Sequence, residues 1–149
     1  MFSRILVVID GSIAQPVLGW VRRLLAPVGG DVRLLVVLPQ VRAVVAGGRT
    51  VAFADQREDG ARRAAEFALS GLVARLQEDG LAASVEVRFG KPATAILGAA
   101  QAWRAEAIAV HETRQRAWHR WLSSDVVDEV LKLSSVPVLI ARVSEQRSA

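Results

Sequence analysis

The chain has 149 residues, of which 52% are hydrophobic and 23% charged, with no cysteine and a formal net charge of +4. That length suits one domain with a sizeable core, and the composition fits a sheet buried on both faces and excludes a disordered chain. Without cysteine there is no disulfide, no thiol catalysis and no thiolate metal site, and the two histidines, eight residues apart, make a poor metal set.

Taken in chain order, Ile5 to Ile9 is an unbroken aliphatic run closed by Asp10-Gly11-Ser12, which predicts a strand and then a turn. Ser12 is placed to cap a helix whose apolar positions Val17, Leu18, Val21, Leu24 and Leu25 recur at helical spacing and which Gly29-Gly30-Asp31 ends. Val32 to Leu38 predicts a second buried strand, stopped by Pro39. Residues 40–55 are less regular, and Gly47-Gly48 reads as a mobile connection. From Gln56 to Glu78 an amphipathic helix is expected, with Ala61, Ala65, Ala68, Leu69, Leu72, Val73 and Leu76 inward and Asp79-Gly80 closing it. Val85, Val87 and Phe89 alternate with Glu86 and Arg88, the pattern of a strand nearer a sheet edge. Gly90-Lys91-Pro92 is a turn, and Pro92 opens a helix through Trp103. Residues 107–110 predict a fourth strand, 124–133 a last helix after a basic loop, and 136–141 a fifth strand with Pro137 near its start.

Five alternations of strand and helix demand crossover connections, hence a largely parallel α/β sheet covered on both faces. No linker or internal repeat breaks the pattern, so residues 1–149 read as one domain. No apolar run approaches the roughly 18 residues of a membrane helix, and the amino terminus enters the first strand too soon for a signal peptide. A cytoplasmic location and no membrane partner are the expectation. The basic side chains, 19 with only two lysines, are scattered, so the pI near 10.9 reads as composition rather than as a nucleic-acid footprint.

Ligands of open α/β sheets sit beyond the carboxyl ends of the strands. That draws attention to Asp10, Leu38 and Gln40, Gly90 and Lys91, and the chain from His111 onward. Catalytic patterns are missing: Asp10-Gly11-Ser12 lacks the glycines of a hydrolase elbow, there is no Gly-Lys-Ser/Thr phosphate loop, and His111 has no assignable nucleophile. The chain is expected to be no enzyme and to hold no metal.

Three segments carry a resemblance: Ile5-Leu6-Val7-Val8-Ile9-Asp10-Gly11-Ser12, the turn-helix Gly90-Lys91-Pro92-Ala93-Thr94-Ala95-Ile96-Leu97, and Trp121 to Leu131 running on to Ser135-Val136-Pro137-Val138-Leu139-Ile140. Together they resemble the universal stress protein family in register over nearly the whole chain, most weakly between Gln40 and Asp55. The resemblance implies a five-stranded parallel sheet of order 3-2-1-4-5 with helices on both faces, of the adenine nucleotide alpha hydrolase-like kind. It further implies a homodimer along the last strand, here Val136, Val138 and Ile140, and in many members ATP between the ends of the first and fourth strands.

Nucleotide-binding members carry a Gly-x2-Gly-x9-Gly-Ser/Thr loop, whose glycines let backbone N–H groups reach phosphates. Aligned on the last helix, those four positions hold His111, Arg114, Ser124 and Asp125, so none of the glycines is present. The strand ends, the resemblance and the basic loop after His111 together make Asp10, Leu38, Val110, His111, Arg114, Arg116, Ser124 and Val126 the candidate ligand residues. The basic stretch 111–121, with two tryptophans, can offer arginine side chains to a phosphate and a ring to a base, or can be a solvated loop. Two readings result. One is a dimeric regulatory or interaction module for a protein partner the sequence does not identify, which takes no cofactor in the family's usual way. The other is an ATP- or AMP-binding stress sensor that uses arginines of the 111–121 loop.

Overall fold

The computed structural model describes residues 3–9, 15–40, 44–112 and 124–142. Its elements are β1 (Arg4–Ile9), α1 (Gln15–Leu25), a 3-10 turn (Ala26–Val28), β2 (Asp31–Leu38), β3 (Val44–Ala46), β4 (Arg49–Ala52) and α2 (Ala54–Glu78). They continue with β5 (Ala82–Phe89), α3 (Pro92–Trp103), β6 (Ala107–Glu112), α4 (Ser124–Leu133) and β7 (Val138–Arg142).

The run Ile-Leu-Val-Val-Ile of β1 is buried throughout, which fits a strand covered on both faces. Alternation divides it. Leu6 and Val8 join an apolar cluster with Leu35, Ile108 and residues of α3 and α4, and Ile5, Val7 and Ile9 join another with Leu34, Ala107 and residues of α1 and α2. Each fully buried Leu or Ile contributes on the order of 1.5–3 kcal/mol, so a strand with two buried faces fixes its neighbours on both sides. The five long strands form one parallel sheet of order β5-β2-β1-β6-β7, which is the expected 3-2-1-4-5 once the strands of the sheet are numbered among themselves.

Some boundaries differ from the expectation. The irregular stretch contains an antiparallel hairpin, β3–β4, whose turn residues Gly47 and Gly48 both have positive φ (60° and 75°), as a tight two-residue turn requires. Ala68 faces solvent, and the inner face of α2 is made by Leu69, Leu72, Val73 and the fully buried Leu76. The last strand starts at Val138, so Val136 and Pro137 precede it. β5 lies at the sheet edge, as the polar Glu86 and Arg88 in its alternation foretold. No helix of the described residues is long and apolar enough to cross a membrane.

Two close approaches fix the end of the sheet remote from the strand carboxyl termini. The Ser3 backbone N–H and hydroxyl donate to the Glu106 carboxylate at 2.9 and 2.6 Å, tying the start of β1 to the turn before β6 and holding that carboxyl below its ordinary pKa. Gly30, buried where β2 begins, leaves no room for a side chain: a Cβ there would stand 2.7 Å from Leu25 Cδ2 and 2.9 Å from the Ser3 carbonyl oxygen. That carbonyl is itself held, accepting from the Asp31 N–H at 2.7 Å. Gly30→Ala is therefore expected to cost about 1–3 kcal/mol and lower the thermal midpoint by several degrees. An unchanged midpoint in a melting curve would show that the approach is relaxed in solution.

Candidate functional site

β1 pairs with β2 on one side and with β6 on the other, and the helices divide accordingly. α1 and α2 cover one face, α3 and α4 the other. The chain leaves β1 toward β2 and later returns to β6 on the opposite side, so strand order reverses between β1 and β6. The crevice expected of such a sheet lies beyond their carboxyl ends.

β6 supplies the residues described there. Val110, 1% exposed, belongs to the α3–α4 cluster and stands in register with Ile140 of β7. His111 follows on the opposite face, continuing the row of Ala107 and Ala109 beneath α1, and stands in register with Ala141. It is 1% exposed and is the one buried polar or charged side chain among the described residues. Neither Nδ1 nor Nε2 has a hydrogen-bond partner among the described residues. Burying such a group unpaired costs about 1–3 kcal/mol, so the position calls for an explanation in function rather than stability.

The other expected residues fall in several places. Leu38 ends β2, half-buried, and its carbonyl accepts from the Gly90 N–H at 3.0 Å. With β1 between them, β2 and β6 stand about 10 Å apart. Val126 packs, half-buried, against the cluster that contains Val110, and Ser124 is the first residue of α4. Asp125, in the first turn of α4, is exposed. Asp10, Arg114 and Arg116 lie outside the described residues. The structure thus puts Val110 and His111 near the carboxyl end of β6 on opposite faces, Val126 against the cluster that holds Val110, and Leu38 on the far side of β1.

Two further features escaped the sequence reading. A cleft of about 550 Å³ opens where β5 meets α2 and α3, lined among others by Glu58, Arg62, Arg88, Phe89 and Lys91. Gln40 and Lys91 were marked by their places after strands, but nothing in the local pattern tied them to Arg62, which comes from α2. An apolar recess of about 170 Å³ lies between α1 and the β6–β7 edge, walled by Val17, Trp20 and Val21 over Ala109, Leu139 and Ala141. Among the described residues no three His, Asp or Glu side chains stand together as a metal set.

The family model described as "Universal stress protein family" matches residues 1–142. A universal stress protein family structure from Burkholderia pseudomallei superposes with a TM-score of 0.66 at 22% identity, covering 94% of this chain and 96% of that one. A universal stress protein in complex with cAMP gives 0.66 at 20% identity, covering 96% and 99%. A family protein from Arabidopsis thaliana with AMP bound gives 0.64 at 16% identity, covering 99% and 95%. At such identities the likeness speaks to the fold. Among curated proteins the search finds no match.

His111→Leu removes two buried polar atoms that have no partner among the described residues and keeps most of the volume. The substitution is expected to raise unfolding free energy by about 1 kcal/mol or more. A loss of stability in urea denaturation would mean that the imidazole has a partner in solution.

Proposed function

The chain belongs to the universal stress protein family, and from that premise we propose that it is a dimeric regulatory or interaction module that does not bind ATP in the family's usual way. The observation that carries this reading is His111. The resemblance puts the first glycine of the phosphate loop at this position, and here a side chain is packed to 1% exposure at the carboxyl end of β6. A glycine leaves its backbone N–H open to a phosphate; an imidazole in that place fills the approach. Asp125 adds a negative charge to the first turn of α4, which suits the helix dipole but opposes a bound phosphate.

The dimer half of the proposal rests on β7, which among the described residues pairs only with β6 in the sheet. Val136, Val138 and Ile140 are each half-buried against the α3–α4 cluster, so their packing holds the kind of edge along which a second strand can pair. A second reading, a nucleotide sensor using Arg114 and Arg116, draws support from the family structures with AMP or cAMP bound.

Thermal unfolding with millimolar ATP and magnesium, and separately with AMP, tests the ligand half. A nucleotide at about 100 times its Kd adds roughly 2.7 kcal/mol, a shift of several degrees. The proposal expects no such shift. A clear shift that vanishes in the Arg114→Ala, Arg116→Ala double variant would establish the second reading instead. Light scattering at micromolar concentration is expected to give twice the 16.1 kDa of the chain, and a monomer mass would remove the dimer.

A further inference from the structure

The cleft between β5, α2 and α3 lies at the outer edge of the sheet, on the far side of β2 from the β1–β6 crevice. Its walls come from three elements and from Gln40, which follows β2. β5 contributes Arg88 and Phe89, α2 contributes Glu58 and Arg62, and the turn into α3 contributes Lys91, with Thr94 one turn on.

The charges are arranged unevenly. Arg62 lies with its guanidinium carbon 5.6 Å from the centroid of the Phe89 ring and pairs with Asp59 at 3.1 Å across an exposed helical turn, a pair that holds it only weakly. Arg88 reaches Glu86 at 3.4 Å, a carboxylate that also faces Arg33 at 3.8 Å. The Arg88 guanidinium lies along α3, so close that a Cβ on Gly98 would stand 3.0 Å from its terminal nitrogen. Lys91 has no ion-pair partner among the described residues. As N-cap of α3 it makes no side-chain cap bond, Pro92 follows, and the first turn carries no acid. The positive end of a 12-residue helix is therefore unneutralised beside Lys91, with the Arg88 guanidinium further along the same helix against Gly98.

A cleft of about 550 Å³ is much larger than a lone oxyanion needs and falls within the range of small-molecule sites. Glu58, half-buried in the wall, accepts hydrogen bonds and repels a second anion. We propose that this cleft binds a phosphate monoester of a small hydroxylated molecule, its phosphate between Arg88, Lys91 and the first turn of α3 and its hydroxyls toward Glu58. The dianion matches two cations and a helix N-terminus, and the donors of the polyol match the one acid in the wall. This site is separate from the β1–β6 crevice, so its fate is independent of the nucleotide question there.

The test is amide NMR of the full chain at constant ionic strength, titrated with ribose 5-phosphate, inorganic phosphate and ribose. Ribose 5-phosphate is expected to shift the amides of residues 90–95 saturably, inorganic phosphate to do so more weakly, and ribose to leave them unmoved. Lys91→Gln and Arg88→Gln are each expected to weaken ribose 5-phosphate by about tenfold, since a charge-assisted hydrogen bond contributes at least that much. Inorganic phosphate binding as tightly as ribose 5-phosphate would overturn the ester in favour of the free anion. Absence of saturable shifts at residues 90–95, or shifts equal in both variants and the parent, would overturn the site.

Discussion

The two-sided burial of β1 is the constraint on which the rest of the structure depends. Five consecutive aliphatic residues leave no face of that strand for water, so helices must cover it above and below. Parallel neighbours on both sides then require crossovers, and the crossovers place α1 and α2 on one face and α3 and α4 on the other. A crevice between β1 and β6 is a geometric consequence of that division. The position follows from strand order alone and does not depend on which side chains stand there.

Against that background His111 is the one place where the core departs from its own rule. Every other buried side chain that the structure describes is apolar. The row beneath α1 runs Ala107, Ala109, His111, small residues and then a ring whose two nitrogens have no partner among the described residues. Small side chains let α1 approach the sheet closely, and the recess walled by Trp20 shows the gap left where that approach is incomplete. Trp20 itself is 60% exposed, with Arg23 lying over its ring at 5.4 Å, so it roofs the recess without closing it.

Legibility in the sequence followed the range of the interactions. The five strands, α3 from Pro92 to Trp103 and the edge position of β5 were readable because periodicity and turn residues act over a few positions. The order of the strands came from resemblance, not from pattern. The burial of His111 was hidden because the apolar run ends at Val110. What extends the strand is pairing across to β7, His111 with Ala141 and Glu112 with Arg142, a contact about thirty residues away in sequence. The β3–β4 hairpin was hidden for the opposite reason: its strands, of three and four residues, are too short to show alternation, although Gly47-Gly48 marked the turn.

The cleft at β5 shows the same limit in a functional setting. Arg62, Arg88 and Lys91 come from a helix, a strand and a turn, and each alone reads as an ordinary surface cation. Edge position is what allows them to meet. A central strand must be apolar on both faces, whereas β5 keeps Glu86 and Arg88 on its more polar side, and the helix before it and the helix after it flank its carboxyl end. The edge of a doubly covered sheet is therefore where charge can gather without disturbing the core. Whatever occupies the end of β1 and β6, the edge one strand beyond β2 gathers the charges a polar ligand would need.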